Sequence, residues 1–376
     1  MHLGICAQRL GVVRTGVARY LAGLLGEWAT ASLPFTQVTL FAPTALAAPA
    51  RFGQANGAAS LHPFLWEHLW LPQQARRLKI DLLFCPSYVL PLGWNGPAVV
   101  TIHDVIQEAM PKDFPLMARL TRAPLYRRSA RRAALVLTNA QATVAAISHY
   151  YKVPTERIQA IPLAADARFH ADSSHDDQAG LRARYGLGGD PFILFVGKLS
   201  RRRNLSALLT AFQQIAGQLP HRLVLVGVNH LRLPIAAQAA ALGLSGRVIQ
   251  TDFVPDADLA MLYRAADLFV YPSEMEGFGL PLIEALASGL PVVTLHRPVI
   301  VEVVGDAALT LAQASPALLA EAMLGLLTDR ARHSALAQRG IVRAKRFSWT
   351  FTSQATMNQL ARASGLPYTN YDQPSA

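Results

Sequence analysis

Two glutamates at positions 276 and 284 carry the densest chemistry in the chain. The run from Tyr271 to Glu284 leaves an apolar strand, makes a Glu-Gly-x-Gly turn and enters a helix. Pro281 falls in the helix's first turn, where a missing N–H costs nothing. Free N–H groups around Phe278, Gly279 and Leu280 suit an anion or sugar oxygens. A carboxylate accepts two hydroxyl hydrogen bonds, so Glu276 in the turn and Glu284 inside the helix could hold a sugar and a ribose. Leu280, Leu282, Ile283 and Leu286 crowd Glu284, and a carboxylate among apolar neighbours needs partners.

Further chemistry sits at other strand ends. Gly197 and Lys198 follow an apolar strand, and Arg201, Arg202 and Arg203 precede a helix whose N-cap is expected at Asn204. Cations placed there can bind a diphosphate and stabilise its departing charge. His103 and Asp104 end another strand, where an imidazole can bind a substrate hydroxyl or move a proton. Gly11 and Gly16 flank a turn that feeds a helix, open enough for a phosphate to approach the backbone. His170 and His175, near Asp172, Asp176 and Asp177, imitate a metal cluster but read as a solvated linker. Asp256 and Asp258 imitate a metal-binding Asp-x-Asp, yet read as a helix N-cap and its first turn. Neither group reads as a metal site.

The elements that position these residues follow from the pattern. Strands are expected at 2–7, 37–42, 81–85, 98–103, 135–138 and 158–163, then at 192–197, 222–227, 248–251, 268–271, 291–295 and 308–311. Several are continuously apolar, as parallel strands covered on both faces are. Alternation with helical segments in two blocks argues for an α/β protein of two doubly wound, Rossmann-like domains. The segment from Ala165 to Pro191 is polar and broken by Gly186, Gly188 and Gly189, so the linker belongs there. Open parallel sheets bind ligands beyond the carboxyl ends of their strands, and two such domains facing each other would create a cleft.

Bulk properties narrow the class. Of 376 residues, 52% are apolar and 16% charged, which excludes disorder. Cys6 and Cys85 are the two cysteines, too few for a disulfide scaffold or a cysteine zinc site. No signal peptide or spanning run of about 20 apolar residues is visible, so the expectation is a cytoplasmic protein. The formal net charge of +11 suits nucleic acid, an anionic membrane or a phosphorylated ligand.

The Glu276 to Glu284 segment resembles the Glu-x7-Glu signature of the retaining glycosyltransferase family 4, also called glycosyl transferases group 1. The likeness extends in order through Thr15 to Tyr20, Cys85 to Pro91, Val100 to Asp104, Val153 to Pro162, Gly197 to Asn204, Phe253 to Asp256, Gly289 to Pro291 and Glu302 to Ala308. It covers roughly residues 1–360. It implies a GT-B fold and metal-independent transfer, so no metal is expected. The N-terminal acceptor-side domain would span 1–167, joined by a C-terminal helix within 348–376, and the nucleotide-sugar domain would span 168–347. By the same resemblance Glu284 would bind the donor ribose, while Glu276, Phe278, Gly279 and Leu280 would contact the donor hexose. Lys198 and Arg203 would grip the pyrophosphate, Gly16 would approach it from the other domain, and His103 would touch the transferred sugar. Arg203 stands where the family usually has lysine, which keeps the charge and changes the geometry. Ala165 replaces a usual glycine, and His296, Arg297 and Pro298 replace a more polar loop.

The expected reaction moves a hexose, mannose from GDP-mannose as a first expectation, to a hydroxyl of a lipid-linked bacterial glycan. Residues 116–132 add Arg119, Arg122, Arg127, Arg128, Arg131 and Arg132 without an acid, interleaved with Leu116, Met117, Leu120, Leu125 and Tyr126. Such a segment suits the anionic inner face of the plasma membrane, although Pro124 is expected to break the helix. Two alternatives remain. A nucleotide-sugar epimerase would share the fold, and a nucleic-acid-binding protein would share the charge but lacks any recognition motif.

Overall fold

The structure is a computed structural model that describes residues 1–11, 15–174, 176–229 and 231–367. Val12, Val13, Arg14, His175 and His230 lie outside the described residues, as do 368–376. Every strand pairing is parallel.

The first sheet contains β1 (His2–Cys6), β2 (Gln37–Ala42), β3 (Gly53–Asn56), β4 (Leu82–Cys85), β5 (Ala98–Thr101), β6 (Leu135–Thr138) and β7 (Ile158–Ala160). Its order is β3-β2-β1-β4-β5-β6-β7. The second contains β8 (Phe192–Val196), β9 (Arg222–Val226), β10 (Val248–Thr251), β11 (Leu268–Tyr271), β12 (Val292–Leu295) and β13 (Leu309–Leu311), ordered β10-β9-β8-β11-β12-β13. The central strands are buried along their length because helices cover both faces, which is why they read as unbroken apolar runs. Each order reverses once, between β1 and β4 and between β8 and β11. Those are the positions where doubly wound sheets bind ligands.

β3 was not expected. Its Gly-Gln-Ala-Asn sequence carries no apolar alternation, because it is a mostly exposed edge strand. β5 is shorter than expected and stops at Thr101, which leaves His103 and Asp104 in the following loop.

The chain divides into one unit of Met1–Leu163 with the segment from Ser348 onward, and a second of Ala164–Phe347. The division falls before the boundary expected at 167. Arg168 pairs with Asp256 at 3.2 Å and Phe169 packs edge-on against Tyr263, so the connecting segment starts within the second unit.

That segment is solvated at 170–174, as expected, but tied down after it. Arg264 clamps Asp176 at 2.5 Å with both side chains under 10% exposed, and Asp177 caps the helix Gln178–Arg184 through the Gly180 N–H. The C-terminal helix Trp349–Ala363 returns to the first unit. Trp28 Nε1 donates to the Ser353 carbonyl at 3.1 Å, and the Trp349 ring lies where a β-carbon at Gly23 would come within 2.5 Å.

The helix Leu116–Arg132 runs unbroken through Pro124, contrary to expectation. Proline removes only its own N–H bond to the carbonyl four residues earlier, here that of the exposed Leu120, where water can substitute. Three of its arginines bind backbone carbonyls. Arg128, Arg131 and Arg132 donate to the carbonyls of Leu92, Tyr151 and Trp94.

Candidate functional site

The second unit's reversal point gathers the two densest motifs. The loop after β8 brings Gly197, Lys198 and a short 3-10 turn of Arg201–Arg203, and the loop after β11 brings residues 272–279. Arg203 is 6% exposed, and its guanidinium lies over the Tyr271 ring at 4.4 Å. Its Nη2 stands 3.3 Å from Glu276 Oε1, while Nε and Nη1 are buried without a hydrogen-bond partner. Burial pushes the guanidinium pKa down to about 9, so the charge persists at neutral pH. A buried cation with two unmet donors is a site for an anion. Lys198 lies exposed at the same strand end.

Glu276 is 8% exposed and held by four donors, all on Oε1. These are Arg202 Nη1 at 2.6 Å, Ser273 Oγ at 2.5 Å, Tyr271 Oη at 3.1 Å and Arg203. Burial alone would raise its pKa, but Arg203 and Arg202 hold the carboxyl below its usual range. Oε2 accepts no hydrogen bond among the described residues, so it can receive a ligand hydroxyl.

Glu284 is 2% exposed inside the helix Leu280–Ala287, and its Oε2 accepts from Tyr263 Oη at 3.0 Å. Gly279 precedes that helix with φ +97°, a conformation that favours glycine. The N–H groups of Phe278, Gly279 and Leu280 have no hydrogen-bond partner among the described residues, as the turn suggested. Phe278 itself is buried edge-on against Phe347 at 5.8 Å. The structure thus brings together Arg203, Glu276, Phe278, Gly279, Leu280 and Glu284 around one sheet edge.

Asn204 does not cap its helix as expected. It adopts φ +50° and sends Nδ2 to the Pro272 carbonyl and to Glu274 Oε1, tying the two loops together. Arg297 grips the other oxygen of Glu274 at 2.6 Å, joining the loop after β12. Asp256 and Asp258 fall in the helix's first turn as expected, while Pro255 takes the cap position. They pair with Arg168 and with Arg184 and Tyr185. Among the described residues no group of three or more His, Cys, Asp or Glu side chains could hold a metal ion.

In the first unit, Gly16 opens the helix Gly16–Trp28, capped by Thr15 through the Ala18 N–H. His103 is half-buried, with Nδ1 2.6 Å from Asn139 Oδ1 and Nε2 2.9 Å from the Pro86 carbonyl. Burial lowers its pKa, so the ring is largely neutral at pH 7. Both nitrogens are already engaged, and proton transfer through His103 would require one of those bonds to open.

Sequence reading passed over Ser273 and Tyr263, and grouped Arg202 with the cations for a diphosphate. Arg202 also donates to the Met275 carbonyl and fixes the Glu276 loop, a role that its position in a basic run does not distinguish from a solvated charge. Tyr263 sits in an apolar helix, and only the fold brings its hydroxyl to Glu284.

Solved structures share this architecture. WaaG, a glycosyltransferase involved in lipopolysaccharide biosynthesis, superposes over 96% of this chain and 99% of its own with a TM-score of 0.75 at 18% identity. Anabaena HepE, solved with UDP and glucose, covers 96% and 99% with a TM-score of 0.76 at 19% identity. The two doubly wound domains therefore have the GT-B fold.

The family model for glycosyl transferases group 1 matches residues 177–343, and that for glycosyltransferase family 4 matches 14–169. The O-antigen chain mannosyltransferase B of Escherichia coli is 34% identical over 284 residues, covering 73% of this chain and 72% of its own. The D-inositol 3-phosphate glycosyltransferase of Nocardia farcinica is 29% identical over 326 residues, covering 82% and 68%. The chain belongs to the glycosyl transferases group 1 family, glycosyltransferase family 4.

Proposed function

We propose that this glycosyltransferase moves mannose from GDP-mannose to a hydroxyl of a lipid-linked bacterial glycan such as an O-antigen, with retention at the anomeric carbon. The observation that carries the donor side is Arg203, a buried cation with two unmet N–H donors beside the open Oε2 of Glu276. Likeness to the E. coli O-antigen mannosyltransferase supports the sugar and the product class.

In this reading Glu284 holds the ribose hydroxyls and Glu276 Oε2 a hydroxyl of the hexose. Arg203 and Lys198 meet the diphosphate, and the N–H groups of Phe278, Gly279 and Leu280 meet donor oxygens. The acceptor oxygen bonds to the anomeric carbon on the face that the diphosphate leaves, its proton passes to a leaving phosphate oxygen, and GDP departs. The leaving charge falls on the cations and N–H donors, so no metal is invoked. One such donor is worth about 3 kcal/mol of barrier.

We place the enzyme peripherally on the cytoplasmic face of the plasma membrane. No described helix is long and apolar enough to cross a membrane. Leu116, Met117 and Leu120 are 62%, 69% and 62% exposed on the helix that also carries Arg119, Arg122 and Arg127. Exposed apolar side chains among cations suit an anionic bilayer surface, each near-surface charge contributing about 1 kcal/mol.

A thermal-shift screen of UDP-, GDP- and ADP-sugars tests the donor. A ligand at 100 times its dissociation constant stabilises by about 2.7 kcal/mol, and GDP-mannose is expected to give the largest shift. Transfer of labelled mannose to an octyl mannoside then separates a transferase from an enzyme that converts the donor alone. Stabilisation by no nucleotide sugar, or donor conversion without transfer, would overturn the assignment.

A further inference from the structure

Strands β8, β11, β12 and β13 are neighbours in the second sheet, but the loops beyond their carboxyl ends have left the ladder that spaces the strands. Two strand spacings, about 10 Å, separate β8 from β12. The loops after β8 and β11 carry Arg203 and Glu276, so their spacing fixes where the donor site's buried cation and carboxylate stand.

One carboxylate bridges that interval. Glu274 lies in the middle loop, and its N–H donates to the Arg202 carbonyl at 2.9 Å. On one side Oε1 accepts from Asn204 Nδ2 at 2.8 Å, and the same amide donates to the Pro272 carbonyl at 3.0 Å. On the other side Oε2 accepts from Arg297 Nε at 2.9 Å and Nη2 at 2.6 Å. Arg297 Nη1 continues to the carbonyls of His296 at 3.0 Å and Ala312 at 2.9 Å, beyond β13. The row ties together the loops after all four strands.

The backbone at both ends is set for this row. Asn204 has φ +50°, a conformation that costs free energy in any residue with a side chain and persists only where its surroundings hold it. Asn204 follows Arg203 directly, so a relaxed Asn204 would carry the buried guanidinium with it. Arg297 precedes Pro298, which restricts it to extended backbone, here φ −124° and ψ 145°. That fixes the direction from which its guanidinium reaches Glu274. The two side chains are 31% and 27% exposed, and an ion pair so placed contributes little to global stability. With all three nitrogens of Arg297 engaged, its contribution is directional, in a way a lysine could not reproduce.

We propose that Glu274 is a positioning residue of the donor site, and that with Arg297 and Asn204 it sets the spacing between Arg203 and Glu276. The assignment rests on the donor reading above. Glu274 acts through Arg203 and Glu276 rather than on the nucleotide sugar. Its loss lets Asn204 leave the left-handed turn and unfastens the Glu276 loop from the β12 side, so the diphosphate and hexose contacts loosen together.

Calorimetric titration of GDP-mannose into the full chain, with melting temperatures measured alongside, tests this. Glu274→Ala and Arg297→Ala are each expected to weaken donor binding by about 10-fold, because small misplacements of contacting groups are costly. The melting temperature should stay within about 2 °C of wild type. The double variant should bind no more than about twofold worse than the weaker single one, since both changes cut the same row. Glu274→Gln still accepts from Asn204 and should recover part of the loss, whereas Arg297→Lys should recover little. Wild-type affinity in both alanine variants would overturn the proposal, as would additive losses in the double variant or affinity that falls only in step with melting temperature. A wild-type protein that binds no nucleotide sugar contradicts the donor reading instead.

Discussion

Arg203 occupies the space that a side chain at Gly197 would need. A β-carbon at position 197 would stand 2.7 Å from Arg203 Nη1, and φ at Gly197 is +146°. Glycine at the end of β8 thus admits the guanidinium that the buried anion site requires. Gly197→Ala is expected to displace Arg203 and weaken GDP-mannose binding by about 10- to 100-fold, or about 1.4 to 2.7 kcal/mol, measured by calorimetry. Gly227→Ala is more disruptive, because its β-carbon would meet the Gly197 carbonyl oxygen at 2.0 Å. It should cost stability, by more than about 2 kcal/mol.

Arg202 and Arg203 share Glu276 but should fail differently. Arg203→Ala removes the anion's partner and should lower kcat by about 100-fold, close to 3 kcal/mol of barrier. Arg202→Ala leaves the anion site intact and releases the Glu276 loop, so donor KM should rise about 10-fold with a smaller change in kcat. Equal kinetic defects in the two variants would contradict this division, and steady-state kinetics with varied donor decides it.

Glu67 makes stability depend on pH in a defined direction. Its folded pKa near 7 exceeds the unfolded carboxylate value. Between about pH 4.5 and 7 the unfolded chain binds fewer protons than the folded one, so this group's contribution falls as pH rises and is fully lost above 7. Arg9 offsets part of that cost, while Cys6 and Cys85 face the carboxyl as neutral thiols. Glu67→Gln should therefore raise the melting temperature at pH 8 and leave it nearly unchanged at pH 4. For this half-buried side chain the gain corresponds to about 1–2 kcal/mol.

The exposed end of the Leu116–Arg132 helix gives a membrane prediction. Replacing Leu116, Met117 and Leu120 together by serine should reduce co-sedimentation with phosphatidylglycerol vesicles by about 100-fold or more, since each buried apolar side chain contributes about 1.5–3 kcal/mol. Arg128→Ala should change vesicle binding little and stability more, because its guanidinium holds the Leu92 carbonyl.

Much of this arrangement is legible in the chain, because parallel strands buried on both faces write themselves as apolar runs and their carboxyl ends carry the glycines, cations and carboxylates. Gly197, Arg203, Glu276 and Glu284 stand out for that reason. What sequence reading passes over depends on contacts between distant segments. Asn204 looks like a cap, yet its left-handed backbone turns the amide toward Glu274. Asp176 sits in a polar stretch that looks solvated and is buried by Arg264. β3 lacks any pattern because an edge strand with polar side chains needs none.

The central claim is that the second unit holds a nucleotide-sugar donor through Glu284, Glu276 and Arg203. Calorimetric titration of GDP-mannose into wild type and Glu284→Ala tests it most directly. The account predicts saturable binding to wild type and at least about a 100-fold loss in the variant, or 2.7 kcal/mol. Equal affinity in the two proteins would contradict it.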